Sequence, residues 1–259
     1  MTSISQQDTN QKKADCQNSA LKIFALTRKE LYSWGNSPVL YGMAVFFLLF
    51  TSLWLFYFQH YFVQNSATLR PYFAAFPIAF ILVIPVLTMK SWAEERKLGS
   101  VELLLTMPFS EWDLVLGKFF ASMVIIAGML ILTIPLPLSL FPLGRFDAGV
   151  MAGEYLGALL LGAAAASLGH LLSALSKNQA GSFLGSVAVL LVVMLINRIP
   201  QTFALPPALA EGINFISLAF HFESFSRGLL DSRDLAFFII TTVLFLYLNT
   251  QVLLFRKWR

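Results

Sequence analysis

Six apolar stretches, at about residues 39–60, 72–90, 114–141, 151–175, 181–203 and 235–255, decide what this chain can become. Each is near or above the roughly 20 residues that an α-helix needs to cross about 30 Å of hydrocarbon. In that medium every backbone polar group must find its partner inside the segment, so helices are the open-ended solution. Charge agrees with this reading: 12% of the 259 residues are Asp, Glu, Lys or Arg, against roughly 25% in a soluble domain. The expected fold is an all-α integral membrane protein with six transmembrane helices. A net charge of +4 does not point to nucleic acid, because the basic residues edge the apolar stretches and do not gather on one polar face. The single cysteine, Cys16, excludes a disulfide framework within the chain and a multi-cysteine metal site.

The basic residues also predict orientation. The two ends of the chain and the loops after the second and fourth stretches hold thirteen of the 18 Lys and Arg, among them Lys22, Arg28, Lys29, Lys90, Arg96, Lys97, Lys118 and Lys177. The other loops hold five: Arg70, Arg145, Arg198, Arg227 and Arg233. That bias places both termini in the cytoplasm, in agreement with an even number of crossings, and makes the chain a multi-pass protein of the cell (inner) membrane.

Between the stretches lie four features. Residues 1–19 are rich in Gln, Asn and Asp, lack the apolar core of a signal peptide, and are expected to form a polar disordered leader. Residues 20–35 alternate apolar side chains with Arg28, Lys29 and Glu30 at helical spacing, which predicts an amphipathic interface helix at the membrane surface or a docking face for a partner. The stretch after the second span carries Glu94, Glu95, Arg96, Lys97, Glu102, Glu111 and Asp113, too much charge for hydrocarbon. With Trp92, Val101, Leu104 and Leu105 at roughly helical spacing, a break at Gly99, a stop at Met107-Pro108 and Ser110/Asp113 as a cap, it reads as a rigid helical elbow in water. Residues 197–234 alternate Pro, Gly and bulky apolar groups in pieces too short to span, and predict short re-entrant helices before the last crossing. Glu223, Arg227 and Asp231 there form either part of an outer gate or plain interfacial charges.

Within the spans, Pro77, Pro85, Pro135 and Pro137 predict bends. The small residues Gly157, Gly162, Ala163 to Ala166 and Gly169, with Gly181 and Gly185, predict that the fourth and fifth spans pack at the centre. Enzyme signatures do not assemble. Gly117-Lys118 lacks the upstream glycine of a phosphate-cradling loop, so no catalytic residue and no nucleotide site is expected in this chain. Glu94-Glu95 has no histidine partners that would make a protease, and His60, His170 and His221 have no metal-ligand spacing.

Three segments carry a family resemblance. WAEERKLGSVELLLTMPFSEWDLVLGKFFA resembles the cytoplasmic coupling segment of ABC-2 type transporter permeases. ALTRKELYSWGNSP is similar to their N-terminal interface helix, and HFESFSRGLLDSRDLAFFIITTVLFLYLNTQVL to their last loop and span. Within the family, the likeness is greatest to the permease subunit of gliding-motility-associated ABC exporters. The resemblance implies one transmembrane domain over residues 20–259, a cytoplasmic coupling helix, and pairing with a second permease chain, identical or not. It further implies a separate ABC ATPase that binds ATP and Mg, with Trp92, Glu94, Glu95, Arg96, Gly99, Ser100, Glu102 and Pro108 as coupling residues. A membrane scaffold that anchors an ATPase without transport is the alternative.

Overall fold

The computed structural model describes residues 2–63, 68–97, 99, 110–144, 146–203, 206–228 and 231–257, with the side chains of residues 2–18, 143, 201, 256 and 257 excepted. The described residues are helical throughout, with no strand among them. Among the described residues, five helical rods are long and apolar enough to cross a membrane: Pro38–Phe58, Arg70–Lys97, Glu111–Leu140, Ala148–Leu175 and Ser232–Phe255. Their bounds follow five of the expected stretches within about three residues, except that the second rod runs on to Lys97, seven residues past its expected end.

The sixth expected stretch, 181–203, is divided. Helix Gln179–Leu195 has 17 residues, about 26 Å at 1.5 Å per residue, short of the roughly 30 Å of hydrocarbon. A turn at Ile196-Asn197 separates it from the short helix Arg198–Phe203. Pro200 has no N–H for the Ile196 carbonyl, so the longer helix cannot run on unbroken. Two further short helices, Pro207–Ile216 and Leu218–Ser226, fill the connection to the last rod.

The elements are numbered in chain order as α1 (Thr2–Gly35), α2 (Pro38–Leu53, extended by a π-helical turn over Trp54–Phe58), α3 (Arg70–Phe73), α4 (Ala75–Thr88) and α5 (Lys90–Lys97). Then follow α6 (Glu111–Thr133), α7 (Pro135–Leu140), α8 (Ala148–Leu175), α9 (Gln179–Leu195), α10 (Arg198–Phe203), α11 (Pro207–Ile216), α12 (Leu218–Ser226) and α13 (Ser232–Lys257). The leader expected to be disordered is part of α1, which starts at Thr2. No Gly or Pro stands between residues 2 and 34 to stop a helix propagating backwards from the interface segment.

Proline sets the joints within the rods. The α3/α4 step at Ala74 lies one turn before Pro77, and the α6/α7 step at Ile134 comes directly before Pro135. Pro85, expected to bend its span, is carried inside α4. Ser110 and Asp113 open α6 with a reciprocal cap: the Ser110 hydroxyl accepts from Asp113 N at 3.1 Å, and the Asp113 carboxylate accepts from Ser110 N at 3.1 Å.

Helix α8 is the axle of the bundle. It packs along α13, α4, α6, α12 and α9, because its small residues admit neighbours on several sides. A Cβ on Gly169 would collide with the Thr88 hydroxyl of α4, and one on Gly157 would lie 2.8 Å from the Phe225 ring of α12. Lipid tails are as apolar as leucine, so such close fit, and not burial from water, is what holds the helices together. The expected central role holds for α8. On α9 it passes from glycine to Ser182, Ser186, Leu190 and Met194, the buried stripe; Gly185 faces open space.

Candidate functional site

At one end of the bundle, α1, α5, α6 and α8 meet around a single ammonium group. The joint between α4 and α5 leaves backbone groups without helical partners, and Ser173 of α8 supplies them. Its Oγ accepts from Trp92 N at 3.1 Å and Ala93 N at 3.3 Å, and donates to the Met89 carbonyl at 3.3 Å. Arg96, near the end of α5, donates to the carbonyls of Ala174 and Ser176. Those carbonyls close α8, where a cation is favoured by the helix dipole. Helix α5 is therefore stitched to the end of α8 at both of its own ends.

This docking turns Glu95 inward. Lys118, on the first turns of α6, is 7% exposed, and its Nζ donates to Glu95 Oε1 at 2.7 Å and to Glu30 Oε1 of α1 at 3.1 Å. The ammonium also stands 5.0 Å from the centre of the buried Trp92 ring. One cation thus joins three elements. Helix α1 is held against α6 by Leu26 and by Thr27, whose hydroxyl lies 3.1 Å from the Gly117 carbonyl. Its opposite stripe, Leu21, Phe24, Arg28 and Tyr32, is exposed.

Next to the ammonium, His170 of α8 bridges Ser122 of α6 and Ser91 of α5, each at 2.9 Å. Ser122 gives its own proton to the Lys118 carbonyl at 3.1 Å. The arrangement is then satisfied by a neutral ring that donates from Nε2 to Ser122 and accepts the Ser91 proton at Nδ1. Lys29, Lys90, Glu94 and the groups just described line a polar cavity of about 310 Å³. Lys90 caps the Trp34 ring at 5.7 Å.

The residues expected to act in coupling therefore divide. Trp92, Glu95 and Arg96 are engaged within the chain, while Glu94 lines the cavity. Gly99 takes a left-handed φ of 68°, with its N–H on the Arg96 carbonyl at 3.1 Å, a turn that suits glycine. Ser100, Glu102 and Pro108, and with them the part of the elbow beyond Gly99, lie outside the described residues. Of the interface residues, Glu30 joins the ammonium, Lys29 lines the cavity and Arg28 is exposed.

At the other end, Glu223, Arg227 and Asp231 do not form one cluster. Glu223 pairs with Arg198 at 3.9 Å in solvent, Asp231 accepts from Arg233 N at 2.9 Å at the start of α13, and Arg227 is exposed beyond α12. Among the buried polar groups there, Glu154 carries no expectation from sequence. His221 Nδ1 meets the Asp234 carboxylate at 2.6 Å and its Nε2 the Phe215 carbonyl at 3.1 Å. Glu154 of α8, 1% exposed, accepts from the Ser226 hydroxyl at 3.0 Å.

These features define a multi-pass helical membrane protein with a charge-linked junction at one end. The sequence matches the family model described as ABC-2 family transporter protein over residues 2–255, and the chain belongs to that family. It is also similar to the probable multidrug ABC transporter permease YbhR of Escherichia coli K12, at 26% identity over 152 residues, and equally to YbhR of Escherichia coli O157:H7. The match covers 58% of this chain and 41% of those proteins.

Proposed function

We propose that the chain is the permease subunit of an ATP-driven ABC-2 type exporter, carrying substrate from the cytoplasm or inner leaflet outward. Family membership supports the permease role, as does the similarity to a protein named as a probable multidrug permease. A separate ABC ATPase that binds ATP and Mg would press on the stretch from Trp92 to Pro108, and a second permease chain would complete the pathway. Gliding motility, as one setting for such an exporter, is supported by the sequence resemblance alone.

The observation that carries this reading is the Lys118 junction. A push delivered to α5 cannot stay local, because Glu95 shares its cation with Glu30 of α1 and with α6, and Ser173 and Arg96 tie α5 to α8. Helices are stiff and bundles are bistable, so the displacement is passed on as rigid-body motion of these rods. In this arrangement α9 and α10 together make the sixth crossing, the Lys118 end is cytoplasmic, and the short helices before α13 lie at the outer surface.

Two measurements test the proposal. Affinity purification of the tagged chain from native membranes is expected to bring down an ATPase subunit whose hydrolysis in proteoliposomes responds to transported compounds. A partner with no such response in any compound series would favour a scaffold. With Cys16→Ser as background, a cysteine at Ser100 is expected to react with an impermeant thiol reagent from the cytoplasmic side only, and one at Ser66 from outside only. Labelling at Ser100 from outside intact cells would put the stretch beyond the reach of any cytoplasmic ATPase, and the reading would fall.

A further inference from the structure

The end of the bundle opposite Lys118 holds a second cavity, of about 340 Å³. His170 and Glu154 mark the two ends on one helix, 16 residues apart, roughly 24 Å at 1.5 Å per residue. The cavity forms where α8 begins. Asp147 accepts from Gly149 N at 2.8 Å and opens the helix, so Val150, Met151 and Glu154 follow on the same face at helical spacing. Leu69, at the start of α3, and Phe146 close the other sides. The walls are thus apolar and partly aromatic, and a buried carboxylate lines them.

An ionisable group inside a membrane bundle is costly unless something compensates it. At the Lys118 end the carboxylates of Glu30 and Glu95 share an ammonium partner. Glu154 has the Ser226 hydroxyl, and Arg70 acts on it electrostatically from the exposed rim without forming an ion pair with it among the described residues. A volume of about 340 Å³ falls at the low end of the roughly 300–1,000 Å³ of small-molecule sites. The charge that would complete this site is a monovalent cation. The ligand class that also fills apolar and aromatic walls is an organic one, such as a quaternary ammonium, which an aromatic ring face attracts in its own right.

We propose that the cavity at the start of α8 is a binding site for small hydrophobic organic cations, with Glu154 as the counter-ion and Leu69, Phe146, Val150 and Met151 as its walls. The site does not depend on the direction of transport or on an ATPase, and can be read on this chain alone. Asp147, at the rim, is occupied as a helix cap and contributes less.

The probe is radiolabelled benzyltrimethylammonium, equilibrated with the full chain in lipid nanodiscs. Saturable binding is expected, and neopentylbenzene, its neutral isostere, is expected not to compete. Glu154→Gln keeps an acceptor for Ser226 and removes the charge, so affinity should fall about tenfold or more while the melting temperature holds. Asp147→Asn should leave affinity within about twofold, since asparagine caps as well as aspartate. Arg70→Gln removes a like charge from the rim and should tighten binding. That variant keeps the proposal falsifiable if Glu154→Gln does not fold. Absence of saturable binding, equal competition by the neutral isostere, undiminished binding to Glu154→Gln, or weaker binding to Arg70→Gln would each overturn the proposal.

Discussion

The two ends of the α8 axle solve the same electrostatic problem in opposite ways. Around Lys118 the charges are cross-linked: one ammonium holds carboxylates from α1 and α5, and a guanidinium closes the last carbonyls of α8. Around Glu154 the carboxylate has a serine, and the neighbouring helix is seated by shape, Phe225 against Gly157. In a medium where helices gain little from avoiding water, buried ion pairs and close fit are the two means of fixing one rod against another. Ion pairs demand that several elements move together, whereas shape complementarity lets one element slide. Under the proposed coupling, the cross-linked Lys118 end is suited to transmit motion and the shape-fitted Glu154 end to accommodate it.

The largest effect is expected from removing the shared cation. Lys118→Met leaves Glu30 and Glu95, each under a fifth exposed, without their common partner. Breaking a buried pair in this way costs about 3–5 kcal/mol. Melting of the detergent-solubilised chain, followed by fluorescence-detected size exclusion, should show it. Because the loss comes from stranded charge, Glu30→Gln and Glu95→Gln added to Lys118→Met should recover most of the stability. A triple variant no more stable than the single one would mean that the junction is held by packing, and the contrast between the ends would collapse.

At the far end the test is volume. Gly157→Leu drives a side chain into the Phe225 ring, where even a Cβ would come within 2.8 Å. Overpacking of this kind costs about 1–3 kcal/mol. Phe225→Ala should suppress it by opening the space, whereas charge substitutions at Lys118 should not. Gly185→Leu, where nothing lies within 4 Å, serves as the control and should be close to neutral. Equal damage at both glycines would remove shape as the organising term.

What could be read from the sequence, and what could not, follows the range of the interactions. Span bounds depend on runs of apolar residues, the Ser110/Asp113 cap on a spacing of three, and the joint at Ile134 on the proline beside it. All are local, and five of the six expected spans, the cap and the joint are present among the described residues. The junction is not local: Lys118 meets Glu95 from 23 residues away and Glu30 from 88. Taken one at a time, Lys118 served as a sign of orientation and Glu95 as a surface charge. His170, without a partner at helical spacing, finds Ser91 and Ser122 at separations of 79 and 48. Glu154 carries little weight in sequence, because the spans hold almost no acid and one carboxylate forms no pattern. A single charge seven residues into a helix that is otherwise small and apolar is the signal that could have found it. The helical leader was missed for the reverse reason, since polar composition says little where no residue forbids helix.

The smallest effect on the fold, and the sharpest on the comparison, is expected from Glu94. It stands beside Glu95 on α5, yet it lines the polar cavity and makes no ion pair with Lys118. Glu94→Gln should therefore change the melting temperature little, within the roughly 0.5 kcal/mol of an ordinary surface substitution. Glu95→Gln takes one of two carboxylates from Lys118 and should be felt. If the Trp92 to Pro108 stretch receives an ATPase, the adjacent acids separate by task, one holding the bundle together and the other offering charge to the partner. Glu94→Lys should then lower ATPase co-purification at low salt, with the difference fading as ionic strength rises, because exposed charges are screened within about 10 Å at 0.1 M. Co-purification that survives Glu94→Lys but is lost in Glu95→Gln would mean that the partner recognises the internal arrangement of the junction and not its outward charge.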